Sequence, residues 1–549
     1  MADTYTTPGV YVRESPTLPP SVAEVSTAVP AFCGYTEKTD LKLKPTRIET
    51  LLDYELMFGG PPPALTDVSV NSFDSTTGVI DLTVTPPKAD LPLLYYSLRM
   101  YFDNGGGPCY IVSLGGYNGV TLADFKAGLD ALKREDEPTL VVMPDATRLT
   151  NNSNDFDSAC AAALDHCGEM KDRFAILDVK WNQTATQTAT DFRKLSSNHL
   201  SYGAAYTPYL ETSLVYSYDK ERVNVIGPPL DTFGGVTIIY RGTAKDMARV
   251  EILPGKPPVN PGDQPGAITF SVRDSANPRL TITLNAQNRA AKDVKAAWDK
   301  FEEDKQGFDL EETKDAEVPA TQNATTLKAP SRALSTLMAS DTALYNSTKA
   351  ALAQQRVTLP PSGAVAGIYA SVDRDRGVWK APANVAMASV IDLTQMFTDA
   401  EQGKLNVDPT GGKSINVIRS FTGRGILIWG ARTLAGNDNE WRYIPVRRLF
   451  IMIEESTKKA TAFAVFEPND SNTWLKVKAM IEGYLYGLWE RGALAGAKPE
   501  DAYFVHVGLG TTMRTQDILE GRLIVEIGIA AVRPAEFIIL RFTHKLQVA

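Results

Sequence analysis

Cysteine is almost missing: four in 549 residues, at Cys33, Cys109, Cys160 and Cys167, with no CxxC pair among them. So few exclude a disulfide framework, and they read as buried thiols. Histidine is equally scarce. His166, His199, His506 and His544 are the whole supply, and none stands in a recognisable triad context such as a Gly-x-Ser-x-Gly elbow. His166 and Cys167, with Cys160 two helical turns earlier, offer two or three soft ligands, too few to close a zinc site. No window carries the continuous apolar stretch that crosses a bilayer. The opening also lacks the basic-then-apolar layout of a signal peptide, so the expectation is a chain folded in the cytoplasm. Positive charge is not in excess either. A net charge of -9 argues against a general nucleic-acid or membrane-surface binder. The glycine runs Gly105–Gly107 and Gly115–Gly119 lack the Gly-x-x-x-x-Gly-Lys-Ser/Thr pattern that cradles phosphates and read as turns.

What is present is ordinary globular material, 43% hydrophobic and 22% charged, in a chain long enough for two to four domains. A helix is expected over 50–58, stopped by Gly59-Gly60-Pro61, and another from Pro92 to the glycines at 105–107. Then strands at 109–114, 139–143 and 174–179 alternate with helices at 122–133, 156–167 and 191–198. Strict alternation points to a mostly parallel sheet covered by helices. Between about 215 and 330 the pattern becomes short alternating strands (236–240, 267–272, 280–284) between Pro/Gly turns, a β-rich inserted domain. Its acidic run over 299–317 reads as a solvated helix and loop, and helical signals return over 332–356. Near the end come helices over 447–460 and from about 473, then strands at 503–507 and 522–532. Asp373-Arg374-Asp375-Arg376 reads as a local salt-bridged turn at an interface.

Both ends carry β-prone segments. Gly9, Val10, Tyr11, Val12, Arg13 and Glu14 lie between Pro8 and Pro16, a strand too small to stand alone. Residues 536–546, with Phe537, Ile538, Ile539, Leu540, Arg541 and Phe542, read as a second. Such segments either pair within their own chain or add to a neighbour's open sheet edge.

Three stretches carry a resemblance. Thr7-Pro-Gly-Val-Tyr-Val-Arg-Glu14 resembles the opening of contractile tail sheath proteins. Asp373-Arg-Asp-Arg-Gly-Val-Trp-Lys-Ala-Pro-Ala-Asn384 is similar to that family's central motif, and Trp441-Arg-Tyr-Ile-Pro-Val-Arg-Arg448 with Phe463-Ala-Val-Phe-Glu-Pro-Asn469 to its C-terminal domain. The segments at 66–90 and 215–330 match no such pattern.

The resemblance implies an α/β multidomain protein with a non-catalytic core like the subtilisin fold, a β-rich inserted domain and an α+β C-terminal domain with strand-exchanging terminal arms. The boundaries it suggests are an N-terminal arm and linker (1–22), a sheath domain in two parts (23–210 and 331–435), an outer insert (211–330), a C-terminal domain (436–534) and a C-terminal arm (535–549). It implies copies of this chain in six-fold rings around an inner tube, with baseplate and terminal cap proteins as further partners, assembled in the bacterial cytoplasm. No cofactor, metal, nucleic acid or membrane insertion is expected. A tube contact falls to the helix carrying Lys476, Lys478 and Glu482. An α/β hydrolase with a binding module, or a tube that never contracts, are the competing expectations.

Overall fold

The computed structural model describes residues 22–73, 80–87, 91–117, 119–149, 154–241, 247–255, 267–273, 277–285 and 289–540. The chain divides into two compact units, one of Met1–Pro61, Pro92–Ser213 and Thr358–Ala549, the other of Pro62–Leu91 and Leu214–Val357.

The first unit is built on an eight-stranded sheet. Its strands are β1 (Pro30–Gly34), β2 (Thr46–Ile48), β3 (Cys109–Ser113), β4 (Leu140–Val142), β5 (Phe174–Asp178), β6 (Gly203–Thr207), β7 (Ile415–Phe421) and β8 (Gly425–Ile428). They lie in the order β2-β3-β1-β4-β5-β6-β7-β8. The six central strands run parallel, while β2 and β8 pair antiparallel at the two edges. Strands β1, β3, β4, β5 and β6 are buried throughout. Burial on both faces explains why they read as continuous apolar runs rather than alternating ones.

The helices obey local signals. Helix α1 (Leu51–Phe58) starts on a Thr50–Asp53 capping box and stops at Gly59, whose φ of 92° is easy only for glycine. Helix α2 spans Leu94–Asp103 and α3 Leu122–Leu132. Helix α4 (Asp155–Met170) buries Phe156, Ala159, Cys160, Ala163, Leu164 and Cys167 along one stripe. One expected helix is misplaced. In place of 191–198 the chain forms α5 over Ala185–Phe192, because the Thr184 side chain accepts from the Gln187 amide and fixes an earlier start. Helix α6 (Ser362–Arg376) packs on α2. The Asp373–Arg376 charges are the last turn of that helix rather than a turn of their own.

At the C-terminal side of this unit, α7 (Ile444–Ala460) and α8 (Ser471–Glu490) cover a two-stranded antiparallel ribbon, β9 (Tyr503–Val507) and β10 (Val525–Ile529). Asp470 caps α8 by accepting from the Asn472 and Thr473 amides, both at 3.0 Å. Leu449, Met452 and Ile453 of α7 meet Val477, Ile481, Leu485 and Leu488 of α8 in one core. Each such side chain contributes about 1.5–3 kcal/mol by leaving water.

The second unit is β-rich and larger than the 211–330 insert read from the sequence. It takes in Asp67–Phe73, which pairs with Ile80–Val84 and Asn224–Ile226, and the helices Leu334–Ser340 and Thr342–Leu352. Its main core surrounds Trp298 and Phe270, whose rings stand edge to face with centroids 5.0 Å apart. Within the acidic run, Phe308–Glu312 forms a strand, since Phe308 and Leu310 alternate inward while Asp309, Glu311 and Glu312 face out. The charges masked that alternation.

Candidate assembly surface

The carboxyl ends of parallel strands are where open α/β sheets hold ligands, often against helix N-termini. Here that edge supplies its own anions. Asp178, the last residue of β5, accepts from the Ser362 amide at 2.8 Å and the Ser362 hydroxyl at 2.6 Å, closing the first turn of α6. Asp145, in the turn after β4, accepts from the Leu93 amide at 2.5 Å and the Tyr35 amide at 2.9 Å. Burial pushes the Asp178 carboxyl up to about 7 against the opposing pull of the Ser362 hydrogen bonds. It raises Asp145 as well, against its backbone donors.

The imidazoles stand apart from this edge. His166 is held low, at about 4, by burial and by Arg173, whose Nη1 lies 3.4 Å from its Nε2. His199 packs on Tyr202, and His506 on Phe504. His544 lies outside the described residues. The four cysteines are free and buried. No group of three or more metal-binding side chains occurs among the described residues.

The unusual surface lies at the C-terminal side. Among the described residues β10 pairs only with β9, so its other edge presents unpaired backbone. Beside that edge runs a groove of about 950 Å³, walled by Phe450 and Ile453 of α7, Val477 and Ile481 of α8, and Val525 and Ile527 of β10. The inward side chains Val525, Ile527 and Ile529 are only half buried. On the ribbon's other face, Phe504 lies across Gly528, where a Cβ would sit 2.1 Å from its ring. Only glycine admits that contact.

The chain then leaves the ribbon. The Val532 amide donates to the Ala493 carbonyl at 3.3 Å, and Glu536 is the next fixed point. Its carboxylate takes Arg432 Nη2 at 2.7 Å, Arg432 Nε at 2.9 Å, Asn406 Nδ2 at 2.8 Å and the Tyr443 hydroxyl at 3.2 Å. Partial burial opposes ionisation, but these hydrogen bonds prevail and hold the Glu536 carboxyl below its usual range. Arg432 is itself tied to the sheet. Its backbone exchanges two 2.8 Å hydrogen bonds with Asn416 of β7, which also donates to the Ala205 carbonyl of β6 at 3.2 Å.

Beyond Glu536 the anchoring ends. Phe537, Ile538, Ile539 and Leu540 are 70–81% exposed and join no ladder. Of the strand expected over 536–546, the described part, 536–540, joins no ladder, because four apolar residues without a neighbour have nothing to pair with. Arg541 and Phe542, and the N-terminal segment Gly9, Val10, Tyr11, Val12, Arg13 and Glu14, lie outside the described residues. On α8, Lys476 faces solvent and Lys478 pairs with Glu482 at 3.7 Å. The sequence reading missed the uncharged part of that helix face, where Leu475 and Tyr486 are exposed. It also missed the Glu536 clamp, whose partners are about a hundred residues away.

Known proteins resemble this chain in sequence and fold. The family model for the phage tail sheath protein central domain matches residues 313–434, and that for the phage tail sheath C-terminal domain matches 436–545. The tail sheath protein of Vibrio phage KVP40 is 26% identical over 136 residues, which are 25% of this chain and only 20% of that relative. Along the whole chain, the contracted PVC sheath of an extracellular contractile injection system is 26% identical, covering 100% of this chain and 99% of its own, with a TM-score of 0.55. The contracted helical sheath of the anti-feeding prophage is 28% identical, covering 99% and 100%, with a TM-score of 0.53. Sequence motifs, two adjoining domain matches over residues 313–434 and 436–545 and an end-to-end structural likeness thus agree: this chain is similar to the contractile tail sheath proteins.

Proposed function

We propose that this chain is the structural subunit of a contractile sheath. Copies polymerise as helically stacked rings of six around an inner tube and shorten to drive that tube through a target envelope. One observation carries the reading: among the described residues, a single molecule has both an open strand edge beside an apolar groove and an exposed apolar segment that joins no ladder. Strand exchange satisfies both at once. Gly9–Glu14 of one neighbour and Phe537–Phe542 of another would complete the ribbon, backbone hydrogen bonds giving strength and alternate side chains giving register.

Contraction is a change of packing between the same subunits, with the extended lattice held by a kinetic barrier and the contracted one burying more surface. The core acts as scaffold, and its plugged ligand edge suits that role. The inner tube meets α8 around Lys476, Lys478 and Glu482, and a baseplate and a terminal cap close the two ends. Assembly takes place in the bacterial cytoplasm; no helix among the described residues is long and apolar enough to cross a membrane. Electron microscopy of purified particles before and after acid or denaturant stress tests this. Two discrete lengths and diameters are expected, whereas one unchanging tube would refute contraction.

A further inference from the structure

The loop joining α7 to α8 carries an oddity that the isolated chain does not need. Val465 is 63% exposed and Phe466 is entirely so. Phe466 also has a φ of 69°, in the left-handed region that a bulky aromatic avoids. The conformation is locked from both sides. The Val465 and Glu467 amides donate to the Ala462 and Ala464 carbonyls, each at 3.2 Å. Asn469 then donates to the Arg522 carbonyl at 3.0 Å and accepts from the Trp474 indole at 2.6 Å. A backbone fixed against its preference, in order to hold an aromatic ring in water, is strain stored for a later contact.

The position of the loop says which contact. Val465 and Phe466 border the groove beside the free edge of β10, and the Asn469–Arg522 hydrogen bond ties the loop to the chain entering that strand. A strand added to this edge would bring apolar side chains into the groove, ending beneath the two residues. The same chain carries an apolar segment of that kind, Phe537–Leu540, exposed and in no ladder.

We propose that Phe466, with Val465, is an apolar clasp that closes over the strand a second copy of this chain lends to the β10 edge. This rests on the strand-exchange reading above. The clasp adds apolar contact where backbone pairing alone would leave the strand's end open to fraying.

The test uses the full-length chain with Phe466→Gly and Phe466→Asn, residues that tolerate the left-handed conformation and lack the ring. Each is read by monomer Tm and by the critical concentration for sheath formation in a sedimentation assay. Expected are a Tm equal to or above wild type and a critical concentration raised about tenfold, the loss of one apolar anchor worth about 1.4 kcal/mol. A critical concentration at the wild-type value overturns the clasp. So does a fall in Tm in both variants, which would make Phe466 a support of the fold. A third chain lacking Ala2–Glu14 and a fourth ending at Glu536 separate the two claims. If they fail to assemble while Phe466→Gly assembles normally, strand exchange stands and the clasp falls. If they assemble normally, the reading beneath the clasp falls with it.

Discussion

Arg448 shows how a single side chain holds the C-terminal layer to the core. Its guanidinium sits 4.6 Å from the Tyr369 ring centroid and grips Asp373 through Nη1 at 2.9 Å and Nη2 at 2.5 Å. It also donates to the Thr27 carbonyl at 2.9 Å. Both partners are almost wholly buried, at 3% and 6% side-chain exposure. A buried pair adds little net stability over an apolar isostere, yet removing one member strands the other charge. Arg448→Ala is therefore expected to cost about 3–5 kcal/mol, measured by urea denaturation. Asp373→Asn should cost a similar amount, because the amide keeps one acceptor for Arg448 but leaves the buried guanidinium without its counter-charge. Both residues lie in motifs prominent in the sequence. Nothing in the sequence said that they meet, since 75 positions separate them and their partnership exists only after α6 and α7 have packed.

Elements divide into those whose signals are local and those whose signals are not. Helix α1 was readable from its stop at Gly59 and α8 from its cap region at 469–471 and its apolar stripe, whereas α4 carries the stripe without a side-chain cap. Helix α5 was read several residues late, its Thr184 cap hidden in a polar run, and Phe308–Glu312 was hidden by its own acidic residues. The C-terminal strap was readable as β-prone, but its clamp was not. That clamp has a testable acid sensitivity. Because Glu536 has a lowered folded pKa, its contribution is complete above the unfolded carboxyl pKa, near 4.3 in model peptides, and is lost as pH falls through the lower folded value. Hydrogen-exchange protection of the Val532 amide, which donates to the Ala493 carbonyl, should hold at neutral pH and fall in acid. Arg432→Ala should show the lowered protection already at pH 7, with a local loss of about 1–3 kcal/mol. On α8, the exposed lysine pair gives a second prediction. Glu at both Lys476 and Lys478 is expected to weaken loading of sheath onto tubes in a co-sedimentation assay, most strongly at low salt. Loading that is unchanged would shift the contact to the Leu475–Tyr486 side of the helix.

For the whole molecule, the proposed strand exchange makes the arms decide whether copies become a lattice. A chain lacking Ala2–Glu14 keeps the cores around Phe125, Trp298 and Leu485, so it should fold with a native Tm and remain monomeric in sedimentation. Long sheaths from that chain would remove the arm's role. The proposed function was legible from the motifs at 7–14, 373–384, 441–448 and 463–469. The extent of the second unit was not, because Pro62–Leu91 joins it from more than a hundred residues away, through sheet pairing and through packing of Val68 and Val70 on Leu334, Tyr345 and Leu352.

The way Glu536 is fixed also sets a mechanical route. A pull on the chain beyond it passes through Arg432 to Asn416 and on to Ala205, two central strands of the great sheet. Traction then reaches the stiffest part of the protomer and bypasses the helical layer over the ribbon. Under the proposed exchange each subunit would be towed by its keel, and a ribbon that received a neighbour's strand would be spared the load borne by the strand its own chain gave away.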